Sequence, residues 1–233
     1  VSRGEFVLWI ALPYSAIVVF VVGHFWRYRR DQLTLTAHST QLFESRALTV
    51  GSNIFHVGVI AAIGGHVLGI LIPSAWTRAV GIDDSAYHLI AGVGGVTAGA
   101  AVFLGMAVLA WRRAVHPRVR ATTSRVDVWL FFLLGVTILT GVWATMSANL
   151  IGDEVAYRET VAPWFRGLLT LNPDVALMTG VPFIFQLHVT LAWVLYASWP
   201  FSRLVHAWSV PLGYLRRAPV LYRSRTSVGR VRA

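Results

Sequence analysis

The sequence contains no cysteine and no lysine, and only 13% of its 233 residues are charged. Without cysteine it can form no disulfide, thiolate zinc site or iron–sulfur cluster, and it cannot attach a c-type haem through C-x-x-C-H. Any redox metal must therefore be held by its 8 histidines. With 56% hydrophobic residues and a mean hydropathy of +0.62, the composition also excludes an ordinary soluble domain. No Asp or Glu sits well inside an apolar run, Asp127 standing only at the entrance to one. The carboxylate relay of a proton pump or ion-coupled transporter is thus missing. Glycine-rich phosphate loops and nucleophile elbows are missing too.

What the sequence does have is five apolar runs, Phe6 to Trp26, Val50 to Ile72, Tyr87 to Trp111, Val128 to Leu150 and Val181 to Pro200. A helix of roughly 20 residues spans the ~30 Å of bilayer hydrocarbon at 1.5 Å per residue. The pattern predicts an all-α membrane protein of five transmembrane helices, with residues 1–206 as the membrane domain and 207–233 as an arginine-rich tail. No small-residue cleavage site follows the first run, so it reads as a retained span. All 20 basic residues are arginine and the net charge is +10, a balance that would suggest nucleic acid in a soluble chain. Here the positive-inside rule accounts for it. Arg27, Arg29, Arg30 and Arg46 fall between spans 1 and 2, and Arg112, Arg113, Arg118, Arg120 and Arg125 between spans 3 and 4; seven more follow span 5. Seven of the 10 acidic residues lie on the other side. The N-terminus is expected outside and the C-terminus in the cytoplasm. Between spans 4 and 5, Glu154 to Leu169 reads either as a short surface helix with Trp164 and Phe165 dipping into lipid or as an irregular cap. Tryptophans near span ends read as interfacial anchors, and Gly94, Gly95 and Gly99 as a close-packing stripe.

Four histidines stand inside apolar runs, where a polar side chain needs a reason. His56 and His66 share span 2, ten residues or ~15 Å of rise apart. They lie about 80° apart around the helix and can address one side of it. His188 is early in span 5, and His206 lies just beyond Pro200. With spans 2 and 5 antiparallel, depth pairs His56 with His206 toward the cytoplasm and His66 with His188 toward the outside. Two stacked bis-histidine sites are the haem arrangement that carries electrons across a membrane. The rises, ~15 Å against ~27 Å for unbroken helices, differ, so tilt or a break at Pro200 must absorb the difference. Gly58, Gly64, Gly65 and Gly69 suit either a flat macrocycle or helix packing. His24, His38 and His116 read as interfacial or loop residues, and His88, beside Tyr87, as either an interfacial histidine or a residue near the outer site.

The segments WRYRRDQ, SNIFHVGVIAAIGGH, HPRVRATTSRVD, FIFQLHV and WPFSRLVHAWSVP resemble the gamma subunit family of respiratory nitrate reductase, over almost the whole chain. The resemblance implies a dihaem cytochrome b of the prokaryotic cell membrane that oxidises quinol, menaquinol or ubiquinol, near the outer face. It implies that His56 and His206 ligate the inner haem b and His66 and His188 the outer one. It also implies two cytoplasmic partners, an iron–sulfur beta subunit and a molybdopterin alpha subunit. Some family members carry a quinol-binding lysine before span 3. Ala86 stands at the matching place here, which leaves Tyr87, His88 and Arg78 as the polar candidates for quinol contact. In the tail, Trp208, Leu212, Tyr214 and Leu215 are the apolar groups expected to dock the iron–sulfur subunit, together with Arg118 and Arg120. Two alternatives fit the same residues less fully: the cytochrome b anchor of a heterodisulfide-reductase-like or sulfite-reduction complex, and a haem-free membrane scaffold.

Overall fold

A computed structural model describes residues 1–31, 39–151 and 155–208, and every regular element among them is helical. His38 and the tail from residue 209 onward, with Leu212, Tyr214 and Leu215 of the expected docking segment, lie outside the described residues, while Trp208 is described and exposed. The chain runs through α1 (Arg3–Arg30), α2 (Arg46–Leu71), a short α3 (Ser74–Ala79), α4 (Asp84–Val115), a short α5 (Pro117–Ala121) and α6 (Arg125–Ile151). Then come α7 (Val161–Leu169), a single turn α8 (Ala176–Thr179) and α9 (Phe183–Ser198), followed by 3-10 turns at Trp199–Phe201 and Arg203–Trp208.

Helices α1, α2, α4 and α6 are long and apolar enough to cross a membrane. The fifth apolar run forms a helix of 16 residues, whose ~24 Å is shorter than the hydrocarbon core. Two prolines set its limits. Pro182 stands at its N-cap, and Pro200, which has no N–H to continue the ladder, lies in the 3-10 turn that ends it. The long helices begin where side chains can take the first free N–H groups. Ser2 and Glu5 form a capping box on α1, the Asp83 carboxylate accepts from the Ala86 N–H at 2.8 Å on α4, and Ser124 with Asp127 caps α6. At the arginine-poor end α1, α2 and α6 each contain a π-helical turn, at Val7–Ala11, Val67–Leu71 and Ser147–Ile151.

The long helices pack side by side in the order α2, α4, α6, α9, α1. Adjacent ones are antiparallel except α9 and α1, which run parallel, Phe20 meeting Tyr196 and Gly23 meeting Pro200; the seams on either side of α4 show the reversal. Gly51 meets Val108 and Gly58 meets Val102, while further along Gly92 meets Leu150, Gly99 meets Val142 and Gly135 meets Met106. In the α2–α4 seam the backbones nearly touch: a Cβ on Gly105 would fall 2.5 Å from the Phe55 amide nitrogen, and one on Gly58 would fall 2.7 Å from that of Val102. Of the expected stripe, Gly95 and Gly99 do pack closely, against Thr145 and Val142, whereas Gly94 faces nothing within 4 Å. Between α2 and α9 there is no comparable contact, so the helices form an open arc.

The arginine-poor end of the arc is covered by α7. The expected surface helix begins at Val161 rather than Glu154, and its aromatics turn into the protein. Trp164 is fully buried, its indole N–H donating to the Trp9 carbonyl at 3.2 Å, and Phe165 stacks on Trp193. Nearby, Arg166 donates to the Ile70 carbonyl at 2.7 Å and Arg158 to that of Ile72 at 3.3 Å, placing positive charge on free carbonyls at the C-terminal end of α2. At the opposite end Arg112 is buried, with its donors directed to Thr40 and to the Glu44 side chain and carbonyl. The Glu44 carboxyl is held below the usual carboxylate range, chiefly by the Ala47 N–H.

The α2–α4 seam predicts unequal effects of one added methyl group on the same helix. Gly105→Ala forces the two backbones apart and should destabilise the protein by about 1–3 kcal/mol. Gly94→Ala should be near neutral. Thermal unfolding of the detergent-extracted protein measures both, and equal stabilities would contradict this packing.

Candidate functional site

Two pairs of imidazoles face each other across the open side of the arc. His56 of α2 and His206 of the second 3-10 turn have ring centroids 6.0 Å apart at 75°. His66 of α2 and His188 of α9 are 6.1 Å apart at 29°. The structure thus brings together the same partners that depth assigned. The mismatch in rise is absorbed after α9, where Ser202 is extended (φ −119°, ψ 179°) and the chain turns before His206.

In each of the four rings Nδ1 lies against a main-chain carbonyl. For His56 and His66 it is the carbonyl one helical turn earlier, Ser52 and Ala62, both at 2.7 Å. His188 reaches across to α6, to the Thr137 carbonyl at 3.0 Å with the Thr140 hydroxyl at 3.3 Å. His206 lies 2.5 Å from the Arg203 carbonyl. A carbonyl only accepts, so Nδ1 carries the proton and Nε2 is left with the lone pair that ligates a metal. Such a hydrogen bond fixes both the tautomer and the plane of a ligand histidine.

The donor set also limits the kind of metal centre. Among the described residues no group of three His, Asp or Glu side chains is placed to hold an ion. Two imidazoles alone supply two axial positions, and the remaining coordination must come with the metal, as it does in a haem. A metal between two Nε2 atoms at ~2.0–2.1 Å sets ring centroids about 6 Å apart, which both pairs match. The surroundings fit a flat group as well. His56 and His66 are exposed, and a Cβ on Gly64 or Gly65 would meet nothing within 4 Å. On the other side Gly141 gives His188 its room, since a Cβ there would fall 2.7 Å from the ring Cε1. Both pairs fit bis-histidine haem.

The remaining candidates lie elsewhere. Tyr87 is buried, its hydroxyl 2.7 Å from that of Tyr157 and the Arg158 guanidinium 4.0 Å over its ring. His88 Nδ1 is 2.9 Å from the Asn149 amide oxygen, and Arg78 is exposed, 3.7 Å from Asp84. His24 bonds the Phe20 carbonyl at 2.7 Å, and His116 sits against Trp111; among the described residues neither faces a second imidazole. Sequence reasoning missed Thr137, Thr140, Gly141 and Tyr157. The first three lie within one apolar run and carry no signal of the imidazole they serve. Tyr157 is one polar residue of a loop.

Residues 5–225 match the family model described as nitrate reductase gamma subunit. The chain is 41% identical over 220 residues to the nitrate reductase gamma chain of Bacillus subtilis, covering 94% of this chain and 98% of that one. It is 33% identical over 214 residues to the respiratory nitrate reductase 2 gamma chain of Escherichia coli, 91% and 94% of the two chains. It is also 41% identical over 223 residues to the nitrate reductase-like protein NarX of Mycobacterium tuberculosis, 95% of this chain but 34% of that longer protein.

Burial, followed by the hydrogen bond to Tyr87, pushes the Tyr157 phenol above the ordinary tyrosine range. An unfolded tyrosine gives up its proton near pH ~10 while the folded one keeps it, so this stabilisation is present below about pH 10 and declines as pH rises further. Tyr157→Phe should flatten the alkaline fall in unfolding temperature and cost about 1 kcal/mol at neutral pH, where the hydroxyl pair is lost. Thermal scans from pH 7 to 11 check it; an unchanged alkaline limb would contradict the buried pair.

Proposed function

This chain belongs to the nitrate reductase gamma subunit family, and from that premise we propose that it is the membrane cytochrome b subunit of a respiratory nitrate reductase, oxidising quinol near the outer face of a prokaryotic cell membrane. The observation that supports this reading best is the two facing imidazole pairs, each ring with its Nδ1 on a carbonyl. His66 and His188 hold the outer haem iron, and His56 and His206 the inner one. When bound, the two haems b supply one-electron couples at two depths of the bilayer. In this reading α9 is the fifth span, the N-terminus is outside and the C-terminus is cytoplasmic, in line with the arginine distribution.

Each side chain then has a task. The Thr137 carbonyl and the Thr140 hydroxyl hold the His188 ring, and the carbonyls of Ser52 and Ala62 hold those of His56 and His66. His88, at the outer start of α4, orients the quinol, with Asn149 fixing its ring, whereas Tyr87, expected as a second contact, is enclosed between Tyr157 and Arg158 and backs the site without touching the quinol. A quinol that gives up two electrons also releases two protons. The apolar runs carry no acid within them, so nothing in the protein takes those protons inward, and they leave on the outer side. Charge separation comes from electrons alone, about one charge per electron, worth ~2.3 kcal/mol for each 100 mV opposed. The partners are an iron–sulfur beta subunit and a molybdopterin alpha subunit. They meet the cytoplasmic surface around Arg118, Arg120 and Arg203 and the tail of residues 207–233. The absence of cysteine fits this division of labour, with the clusters carried by the partner.

Reduced-minus-oxidised spectra of single alanine variants test the assignment. His66→Ala and His188→Ala should lose one common component, and His56→Ala and His206→Ala the other, each about half of the haem signal. Loss of the same component from His66→Ala and His206→Ala would refute the pairing. In vesicles of known orientation, quinol oxidation should acidify the N-terminal side by close to one proton per electron. Acidification of the opposite side would refute the direction.

A further inference from the structure

Three of the four imidazoles sit on long helices, and His206 does not. It lies on a six-residue 3-10 turn, Arg203–Trp208, that follows the break at Pro200. Turns of this kind have poor hydrogen-bond geometry and little rigidity of their own. A ring placed to face His56 at 6.0 Å therefore needs support from outside the turn.

That support converges on one residue. The Arg203 guanidinium reaches both carboxylate oxygens of Asp127 on α6, Nη2 to Oδ2 at 2.8 Å and Nε to Oδ1 more closely still. This two-point geometry fixes direction as well as distance. Asp127 is 3% exposed and Arg203 19%, so the pair is shielded from water. The carboxylate is held in turn by the first turn of α6, since the Ser124 N–H donates to its Oδ2 at 2.9 Å and its own N–H donates to the Ser124 hydroxyl at 3.1 Å. The carbonyl of the same Arg203 accepts the His206 Nδ1–H. Arg27 of α1 steadies the entry to the turn, donating to the Pro200 carbonyl at 2.7 Å. The positive-inside rule explains an arginine at this end of the protein. It does not explain a buried, two-point contact to Asp127, the acid at the entrance to span 4.

We infer that Asp127 and Arg203 are positioning residues for the inner haem: the ion pair ties the turn to α6, and through the Arg203 main chain it sets the plane and tautomer of His206. The inference rests on the dihaem reading above. In it the outer site takes its geometry from helix register, and the inner site from an ion pair between segments 76 residues apart.

The test uses the full-length, haem-loaded protein extracted from membranes. Ferric low-spin EPR and a potentiometric titration follow each haem separately. His206→Ala identifies the inner component by its loss; if neither component is lost, the dihaem reading fails and takes this inference with it. Given that assignment, Asp127→Asn should change the g-value and midpoint potential of the inner component and weaken its haem retention about 10-fold, the usual lower range for outer-shell partners. The outer component serves as the internal control and should keep its signal and potential. Arg203→Lys keeps the charge and loses the fork. It should move the same component in the same direction by less, and it carries the test if Asp127→Asn does not accumulate. Wild-type inner signal and potential in the variants, or equal changes in both components, would overturn the inference.

Discussion

Bilayer hydrocarbon offers no hydrogen-bond partner, so every polar group the chain places there must be satisfied by the chain itself. Helices satisfy the backbone. The imidazoles are a further demand, and the structure meets it with main-chain carbonyls. A carbonyl has two lone pairs, and in a helix the ladder takes one of them. The Ser52 and Ala62 carbonyls lie one turn before His56 and His66, where they can accept the residue's own N–H and its Nδ1–H together. One economical contact thus removes an unsatisfied donor from lipid, selects the tautomer and leaves the Nε2 lone pair free. The charged groups follow the same rule at the ends of the helices. Arg158 and Arg166 bond carbonyls near the end of α2, and Arg112 gathers the loop before α2 around its guanidinium.

Satisfied helices still have to be arranged so that the rings face each other with space between them. Small residues make this possible by being unequally distributed. Where Gly58 and Gly105 let α2 and α4 approach to backbone contact, α2 is fixed firmly on one side. Where Gly64 and Gly65 face open space, the same helix carries no side-chain bulk at the depth of His66. An arc closed through α4 and α6 and left open between α2 and α9 follows from these two patterns. A bis-histidine ligand plane is what such an opening accommodates, and rings about 6 Å apart are the spacing it needs.

Much of this was legible in the sequence because a bilayer selects on composition. The apolar runs marked the helices, and arginine placement separated their ends. The apolar runs stop short of the long helices at their polar ends, Val50 for a helix that begins at Arg46 and Trp111 for one that ends at Val115, because polar terminal turns remain helical, whereas the fifth run, Val181 to Pro200, overruns a helix that prolines confine to Phe183–Ser198. The π-turns had no signal, since their residues are as apolar as their neighbours. The histidines were legible because imidazole is costly in lipid. Their Nδ1 partners were not, because a main-chain carbonyl is present at every residue. Gly141 and Thr137 matter only through the approach of α9 to α6, and Asp127 and Arg203 only through a contact across 76 residues. Pairing by depth was accessible to one-dimensional reasoning; what orients each ring is tertiary.

The two sites therefore differ in kind. An unbroken α9 would carry His206 ~27 Å from His188, while His56 lies only ~15 Å along α2 from His66. Helix register alone can match one pair, and it matches the one at the arginine-poor end, where the rings lie within 29° of parallel. To bring the second pair to one depth, the helix has to stop. Pro200 removes a ladder N–H, Ser202 adopts an extended conformation, and the chain turns before it reaches His206. Stopping the helix gives up the rigidity that a long helix lends to its side chains, and the rings of His56 and His206 stand at 75°. Hydrogen bonds from α1 and an ion pair to α6 replace that rigidity, and both lie at the end where the arginines are concentrated. The arginine excess at that end thus supplies the groups that hold His206 opposite His56.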